Sequence, residues 1–355
     1  MYDQLPAEIA EVMRELETHY DILKEDDRGG NGVLFFARNK VTAREVAIKF
    51  YAGEPGERRH DEPRLLASIK SPNVLQILDA RTVGDDLAFF LTPRCTGGDL
   101  DDLIAERVTA QEAIDVTLGI CAGASAIHAA RLLHRDLKPG NIVLEGGVPL
   151  IADFGSVRLL PDGANAIPGS RHSILFRPPE SFDAGLYSRA GDVYQVGIVA
   201  YQLLGGALPY DGINYLTRAE ILEHQAVLDV VDKQLHVDAA IRRRIESGRL
   251  LNFGSLPPWA RAAVPVLRRM TAVDPAQRYQ SMSDAAAALI RVRSSVPNWK
   301  RTLDGARLES KGRVVEVRRV PDSDLYEAYL LSRSGPRRVA GSTPAPLQVL
   351  VKQIT

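Results

Sequence analysis

The sequence predicts an α+β chain of two lobes, a small strand-rich lobe followed by a larger helical one, with a further small β-rich module at the C-terminus. Three observations lead there. GVLFFAR (32–38) and EVAIKFY (45–51) alternate and are rich in β-branched and aromatic residues, as half-buried strands are. From about residue 100 to 294 the apolar residues recur mainly at helical spacing. Near 295–300 the pattern returns to short strands separated by turns.

Taken in order, residues 1–19 form an N-terminal helical extension, with Ile9, Val12, Met13 and Leu16 at helical spacing over 6–19. Residues 20–96 make the small lobe and its connection onward. Residues 97–296 make the large lobe. Its helices begin in DLDDLIAERV and QEAIDVTLGICAGASAIHAARLL, pass two short apolar strands in NIVLEG and VPLIADF, and end in SMSDAAAALIRVR. HVDAAIRRRIESG (236–248) reads as an additional helix inside a long 211–256 stretch. In the module, 297–355, GRVVEVRRV and LYEAYLL are strand-like and joined by the turn residues Pro321-Asp322-Ser323-Asp324. LQVLVKQI (347–354) reads as a third strand. A lone hairpin is marginal in water, so the module should pack on a lobe, with Trp299 as an anchor.

Composition narrows the function classes. A chain of 355 residues, 45% hydrophobic and 25% charged, is an ordinary globular protein able to bury a large core. A net charge of −1 gives no overall pull toward nucleic acid or membrane. The two cysteines, Cys95 and Cys121, have no metal-ligand spacing. The N-terminal residues lack an apolar leader core, and no run of 18 uncharged apolar residues occurs. The expectation is a cytoplasmic protein. The module holds 11 Lys/Arg against 6 Asp/Glu, a net +5, which leaves −6 on the rest and suggests docking onto an acidic partner or onto the chain's own surface.

The chemistry concentrates in HRDLKPGN (134–141) and IADFG (151–155). These offer a carboxylate, a cation two residues on, an amide three beyond that, and a second carboxylate 17 residues after the first. Phosphoryl transfer asks for such parts, because it needs positioning, metal ions on the phosphates and a carboxylate aimed at the attacking hydroxyl. HRD alone would read as a loop with ordinary ion pairs. With this spacing the segments resemble the catalytic loop and metal-binding motif of the protein-kinase family, and the resemblance covers roughly residues 20–293.

The resemblance implies roles for matching positions. Asp136 would orient the substrate hydroxyl and take its proton. Lys138 would neutralise the transferring phosphate. Asn141 and Asp153 would hold Mg²⁺, and Lys49, ending VAIK, would grip the phosphates of ATP. Gly29 and Gly32 stand where the phosphate-covering hairpin lies, although Asp27 replaces its first glycine and would weaken nucleotide binding. Glu62 is the matching carboxylate for Lys49, in register with Leu66 and Ser71-Pro72-Asn73; with Pro63 next to it, its helix should start near Asp61. Otherwise Glu62 would be a surface residue at a helix start. Thr92 falls at the gatekeeper position, Pro93 and Cys95 at the adenine-binding hinge, and Asp99 at the ribose. Leu34, Ala47 and Val143 would sandwich the base.

Downstream, Arg177–Glu180, Asp192 and Arg278 match the family's activation-segment motif, the buried aspartate bracing the catalytic loop, and the arginine pairing with Glu180. Lys138 is the Ser/Thr-specific pattern, so the implied activity is transfer of a γ-phosphoryl group to serine or threonine of a protein substrate. The run DPAQRYQSMSDAAAAL resembles bacterial members. A pseudokinase scaffold, suggested by Asp27 and Pro63, and a small-molecule phosphotransferase are the competing readings. Between Asp153 and Glu180 the only hydroxyls are Ser156, Ser170 and Ser173. Ser170 is the candidate for autophosphorylation facing Arg135 and Arg171, against a kinase that needs no loop phosphate. Ser173 aligns with the hydroxyl that faces Asp136 and Lys138.

Overall fold

A computed structural model describes residues 2, 5–26, 33–52, 61–83, 87–169, 173–310 and 312–355; the side chains of Asp26, Ala52 and residues 61–64 lie outside that description. Helix α1 (Ala7–Leu16) precedes an antiparallel sheet of β1 (Tyr20–Asp26), β2 (Leu34–Asn39), β3 (Glu45–Ala52), β4 (Asp79–Val83) and β5 (Leu87–Pro93), ordered β1-β2-β3-β5-β4. Period-2 alternation splits the sheet into two faces. Phe35, Ile48, Phe50, Phe89 and Leu91 point to one side and bury Ile9, Ala10, Met13 and Leu16 of α1. Leu34, Ala47 and Lys49 point to the other side, toward the second lobe. Among the described residues helix α2 spans Asp61–Ser68 and includes Pro63; the residues before Asp61, where its start was expected, lie outside the description.

The second lobe opens with α3 (Leu100–Glu106) and α4 (Ala110–Ala129). Strand β6 (Leu132–Leu133), the hairpin of β7 (Ile142–Glu145) and β8 (Val148–Ile151), and β9 (Arg158–Leu159), which pairs back onto β6, carry the chemistry-bearing loops. After β10 (Ile167–Pro168), α5 (Glu180–Asp183) and β11 (Leu186–Tyr187) comes α6 (Arg189–Leu203), buried along every residue from Ala190 onward. A helix buried on every face belongs at the centre of a lobe, and α4 packs along α6 there. Helices α7 (Arg218–Ala226), α8 (Val230–Glu246), α9 (Val264–Met270) and α10 (Met282–Arg293) complete the lobe. The extra helix expected over 236–248 is the second half of α8, which starts at Val230 because Asp229 accepts from Val231 N and Asp232 N.

The C-terminal module is a five-stranded antiparallel meander of β12 (Trp299–Arg301), β13 (Gly305–Ser310), β14 (Arg313–Arg319), β15 (Tyr326–Ser332) and β16 (Gly335–Arg338), closed by α11 (Leu347–Ile354). Gly305 is required: a Cβ there would stand 1.8 Å from Val317 O. The expectation of a strand over 347–354 is corrected, since this segment is helical. Leu347, Leu350, Val351 and Ile354 fall at i, i+3, i+4 and i+7, and Leu350 and Val351 are buried. Over eight residues the strand pattern matches almost as well, and packing makes the choice.

The module does not hang free. Trp299 is fully buried and stacks on Trp259 of the second lobe, with ring centroids 6.0 Å apart. Its Nε1 donates to Thr355 Oγ1 at 3.0 Å, and Arg107 Nη1 donates to Thr302 O at 2.8 Å. Val296, Trp299, Ala306, Val317 and Leu350 share one hydrophobic core with α4, α6 and α9.

Candidate active site

The loop His134–Asn141 leaves β6 with Arg135 in the left-handed region, at φ 71°. Such a backbone needs holding from outside. Asp192, fully buried in the first turn of α6, holds it: Oδ2 accepts from His134 N at 3.0 Å and His128 Nε2 at 2.7 Å, and Oδ1 accepts from Arg135 N at 2.9 Å and the Tyr187 hydroxyl at 2.7 Å. Burial pushes this carboxyl's pKa up, but His128 and the donated hydrogen bonds outweigh it and leave the group below the ordinary value. Gln195, one turn further along α6, continues the brace. Its Oε1 accepts from Leu137 N at 2.7 Å, and its Nε2 donates to Arg135 O at 3.1 Å and Phe176 O at 3.2 Å.

Sequence reasoning missed Gln195. The available signal was a second polar residue three positions after Asp192, hence on the same face of a mostly apolar helix. His134 is also buried. Burial lowers its pKa despite the carboxylates nearby. Its Nδ1 accepts from Asp136 N at 3.4 Å, and its Nε2–H donates to Ala152 O at 3.1 Å.

This scaffold presents Asp136 toward the gap between the lobes, with the residue 1% exposed. Its Oδ2 accepts from Lys138 Nζ at 2.9 Å and Asn141 Nδ2 at 3.0 Å, while Oδ1 is buried without a partner among the described residues. Lys138 Nζ also donates to Ser173 Oγ at 2.8 Å. A lysine shared between a carboxylate and a hydroxyl sets cation, base and acceptor position within a few ångströms of one another.

Across the cleft, β3 brings Lys49 Nζ to 2.8 Å from Asp153 Oδ2. Asp153 sits at φ 55° and caps the short turn Phe154–Ser156 by accepting from Gly155 N. Burial raises its pKa, but Lys49 and Gly155 N more than compensate, so the carboxylate is held below its usual value. Phe154 is buried. The Tyr51 ring lies 5.6 Å from Lys49 Nζ and fills the space behind the pair. Asp153 and the Asn141 amide oxygen are hard oxygen donors on one side of the cleft. Such a pair, completed by phosphate and water oxygens, fits Mg²⁺, which favours few protein carboxylates. The side chain of Glu62 lies outside the described residues, as do Gly29, Gly32, Asp27, Ser170 and Arg171.

At the connection between lobes, Thr92 pairs with Ala47 and Pro93 with Val46. Thr92 is buried, and Leu34, Ala47 and Val143 are half-buried on the cleft side. Gly97 N donates to Leu144 O at 3.1 Å, and a Cβ at Gly97 would come within 2.6 Å of that oxygen, so only glycine permits the approach. Asp99 then caps α3, accepting from Asp102 N at 3.1 Å, and bridges to Val143. The Cys95 thiol is half-buried near Glu145. Burial first and that carboxylate second push its pKa up to about 11, so it stays protonated at neutral pH.

Below the cleft, Arg278 forms a bidentate pair with Glu180 at 2.8 and 2.7 Å. Its remaining donors reach Ala272 O, Ala190 O and Val273 O. A buried guanidinium with its donors so well satisfied anchors α5 to the lobe.

Comparison with known proteins agrees with this geometry. The family model described as protein kinase domain matches residues 20–289. Serine/threonine-protein kinase PrkC of Bacillus subtilis is 25% identical over 78% of this chain and 41% of its own length. Serine/threonine-protein kinase PknA of Corynebacterium glutamicum is 28% identical over 74% of this chain and 61% of its own length. Mitogen-activated protein kinase 12 of Danio rerio is 29% identical over 76% and 78%. This chain thus spans less than two thirds of either bacterial relative. With the family model covering most of its length and the two lobes facing each other across Lys49, Asp153 and Asp136, the chain belongs to the protein kinase family.

Proposed function

We propose that the chain is an ATP-dependent protein kinase that transfers the γ-phosphoryl group to serine or threonine of a protein substrate. The observation that carries this is the convergence of Asp136, Lys138, Asn141 and Asp153 on one side of the cleft with Lys49 on the other. Adenine would sit between Leu34, Ala47 and Val143, with its edge on Pro93 O and Cys95 N beside Thr92, and Asp99 would reach the ribose. Asp136 Oδ1, the carboxylate oxygen without a partner, would accept the hydroxyl proton as the new P–O bond forms and ADP departs. Lys138 would meet the charge on the transferring phosphoryl group. Asp153 and Asn141 would hold the divalent cation, which neutralises phosphate charge when bound. Glu62, Gly29 and Gly32 keep the roles that the family resemblance implies.

The Glu180–Arg278 pair fixes an activation segment next to the catalytic loop, which supports a protein substrate over a small-molecule one. Among the described residues no helix is long and apolar enough to cross a membrane. A cytoplasmic location, autophosphorylation at Ser170 and an acidic partner for the basic module complete the reading.

One labelling experiment tests the core of it. With Mg²⁺ and γ-labelled ATP, the protein should label a generic protein substrate on serine or threonine. Asp153→Ala should reduce labelling to background because the metal carries the phosphate charge. Mass spectrometry of the same sample should find phosphate on Ser170. Labelling that persists in Asp153→Ala would end the kinase assignment, and unmodified Ser170 in active protein would end the autophosphorylation reading.

A further inference from the structure

A cleft where the C-terminal module meets the second lobe lies apart from the phosphoryl-transfer residues. It encloses about 220 Å³ and is walled by Leu203, Pro257 and Trp259 of the lobe and by Leu303 of the module. Leu303, in the β12–β13 turn, is 88% exposed. Gln202 lines the same cleft and is 6% exposed. Its Nε2 donates to the Tyr210 hydroxyl at 3.3 Å, which fixes the amide's orientation, and its Oε1 is buried without a partner among the described residues. A buried acceptor left unpaired asks for a donor from elsewhere.

Two arginines border this cleft. Arg107 gives one donor to Thr302 O, and neither Arg107 nor Arg301 is ion-paired with a described carboxylate. The contrast within the module is informative: Arg318 closes on Glu316 at 2.6 Å and Arg319 on Asp324 at 2.6 Å. Among the described residues no carboxylate lines the cleft. It therefore offers apolar walls the size of one aliphatic side chain, one buried acceptor, and two guanidinium groups free to pair with acids.

We propose that this cleft docks an acidic, aliphatic peptide segment of a protein partner. An aliphatic side chain enters against Trp259 and Leu303, a backbone N–H donates to Gln202 Oε1, and flanking carboxylates meet Arg107 and Arg301. The module's net charge of +5 favours such a partner electrostatically. The inference gives the acidic-partner reading of the module a place and a ligand class, and its test needs no kinase activity.

The probe is a blocked synthetic peptide, VLDVVD, copied from residues 227–232 of this chain, where an aliphatic run carries two aspartates. Trp259 is one of two tryptophans, so intrinsic fluorescence reports on the cleft. The full chain should show a saturable fluorescence change with the peptide. Arg301→Glu should weaken binding about tenfold or more, and Gln202→Leu several-fold. A peptide with both aspartates replaced by lysine should not bind. Protein labelling by Arg301→Glu should equal wild type, and Arg301→Gln, with a milder loss, covers the case in which the glutamate variant folds poorly. Absence of a saturable change, or equal binding by wild type and Arg301→Glu, overturns the proposal. Concentration-dependent self-association abolished by Leu228→Asp would assign the cleft to a second copy and overturn it in favour of that occupant.

Discussion

Replacing Asp136 by alanine is expected to lower turnover roughly 10²–10⁴-fold, the usual worth of a positioned base. The expectation rests on how this carboxylate is held. It is 1% exposed, with one oxygen on Lys138 and Asn141 and the other unpartnered among the described residues. Buried polar atoms are nearly always satisfied, and an exception in a cleft marks a place where a ligand supplies the missing partner. A substrate hydroxyl is such a partner. Nucleotide binding should survive, since Lys49, Asp153 and the hinge are untouched, and nucleotide titration of the variant checks this. Asp136→Asn keeps the shape but removes basicity, so it should lose turnover to a similar degree with unchanged thermal stability. Either variant turning over at the wild-type rate would sink the assignment of Asp136 as the base.

The second large effect is on stability. Asp192→Asn should destabilise the chain by about 3 kcal/mol at pH 7, the order expected when one member of a buried charged network is removed. For domains of this size that corresponds to a fall in Tm of roughly 5–10 °C. Four groups donate to this carboxylate, and an amide must turn its own NH₂ toward some of them. The folded carboxyl lies below its ordinary value of 3.8. Its stabilisation is therefore complete above the unfolded-state value and lost as pH falls through the folded one. The gap in Tm between wild type and variant should hold from neutrality down to about pH 4 and narrow as pH falls below the unfolded-state value of 3.8. A gap independent of pH would show that packing, and not ionisation, supplies the effect. Activity should fall in parallel, because His134 N and Arg135 N position the loop through the same carboxylate.

Short-range pattern was enough to read the two lobes, the loop His134–Asn141, Asp153 after its hairpin, the helix that holds Pro63 and the strands over 313–319 and 326–332. In each, the signal lies within a few residues: a period of 2 or 3.6, a proline compatible only with a first turn, or a fixed spacing of charged residues. What the sequence could not settle depends on which distant groups meet. Asp192 and Gln195 of α6 brace the loop because the fold lays α6 beneath a backbone with orphan N–H groups, and the spacing that pairs Gln195 with Asp192 does not say which distant groups they meet. Lys49 meets Asp153 only once β3 and the hairpin after the catalytic loop face each other across the cleft. Residues 347–354 carry an apolar pattern that suits either a strand or a helix. They become helical because Leu350 and Val351 then bury against the second lobe and the module, while β12, β13 and β16 complete the sheet without them. The cleft beside Trp259 exists in neither part alone, since its walls come from segments far apart in sequence, around Arg107, Leu203, Trp259 and Leu303, that only tertiary packing brings together.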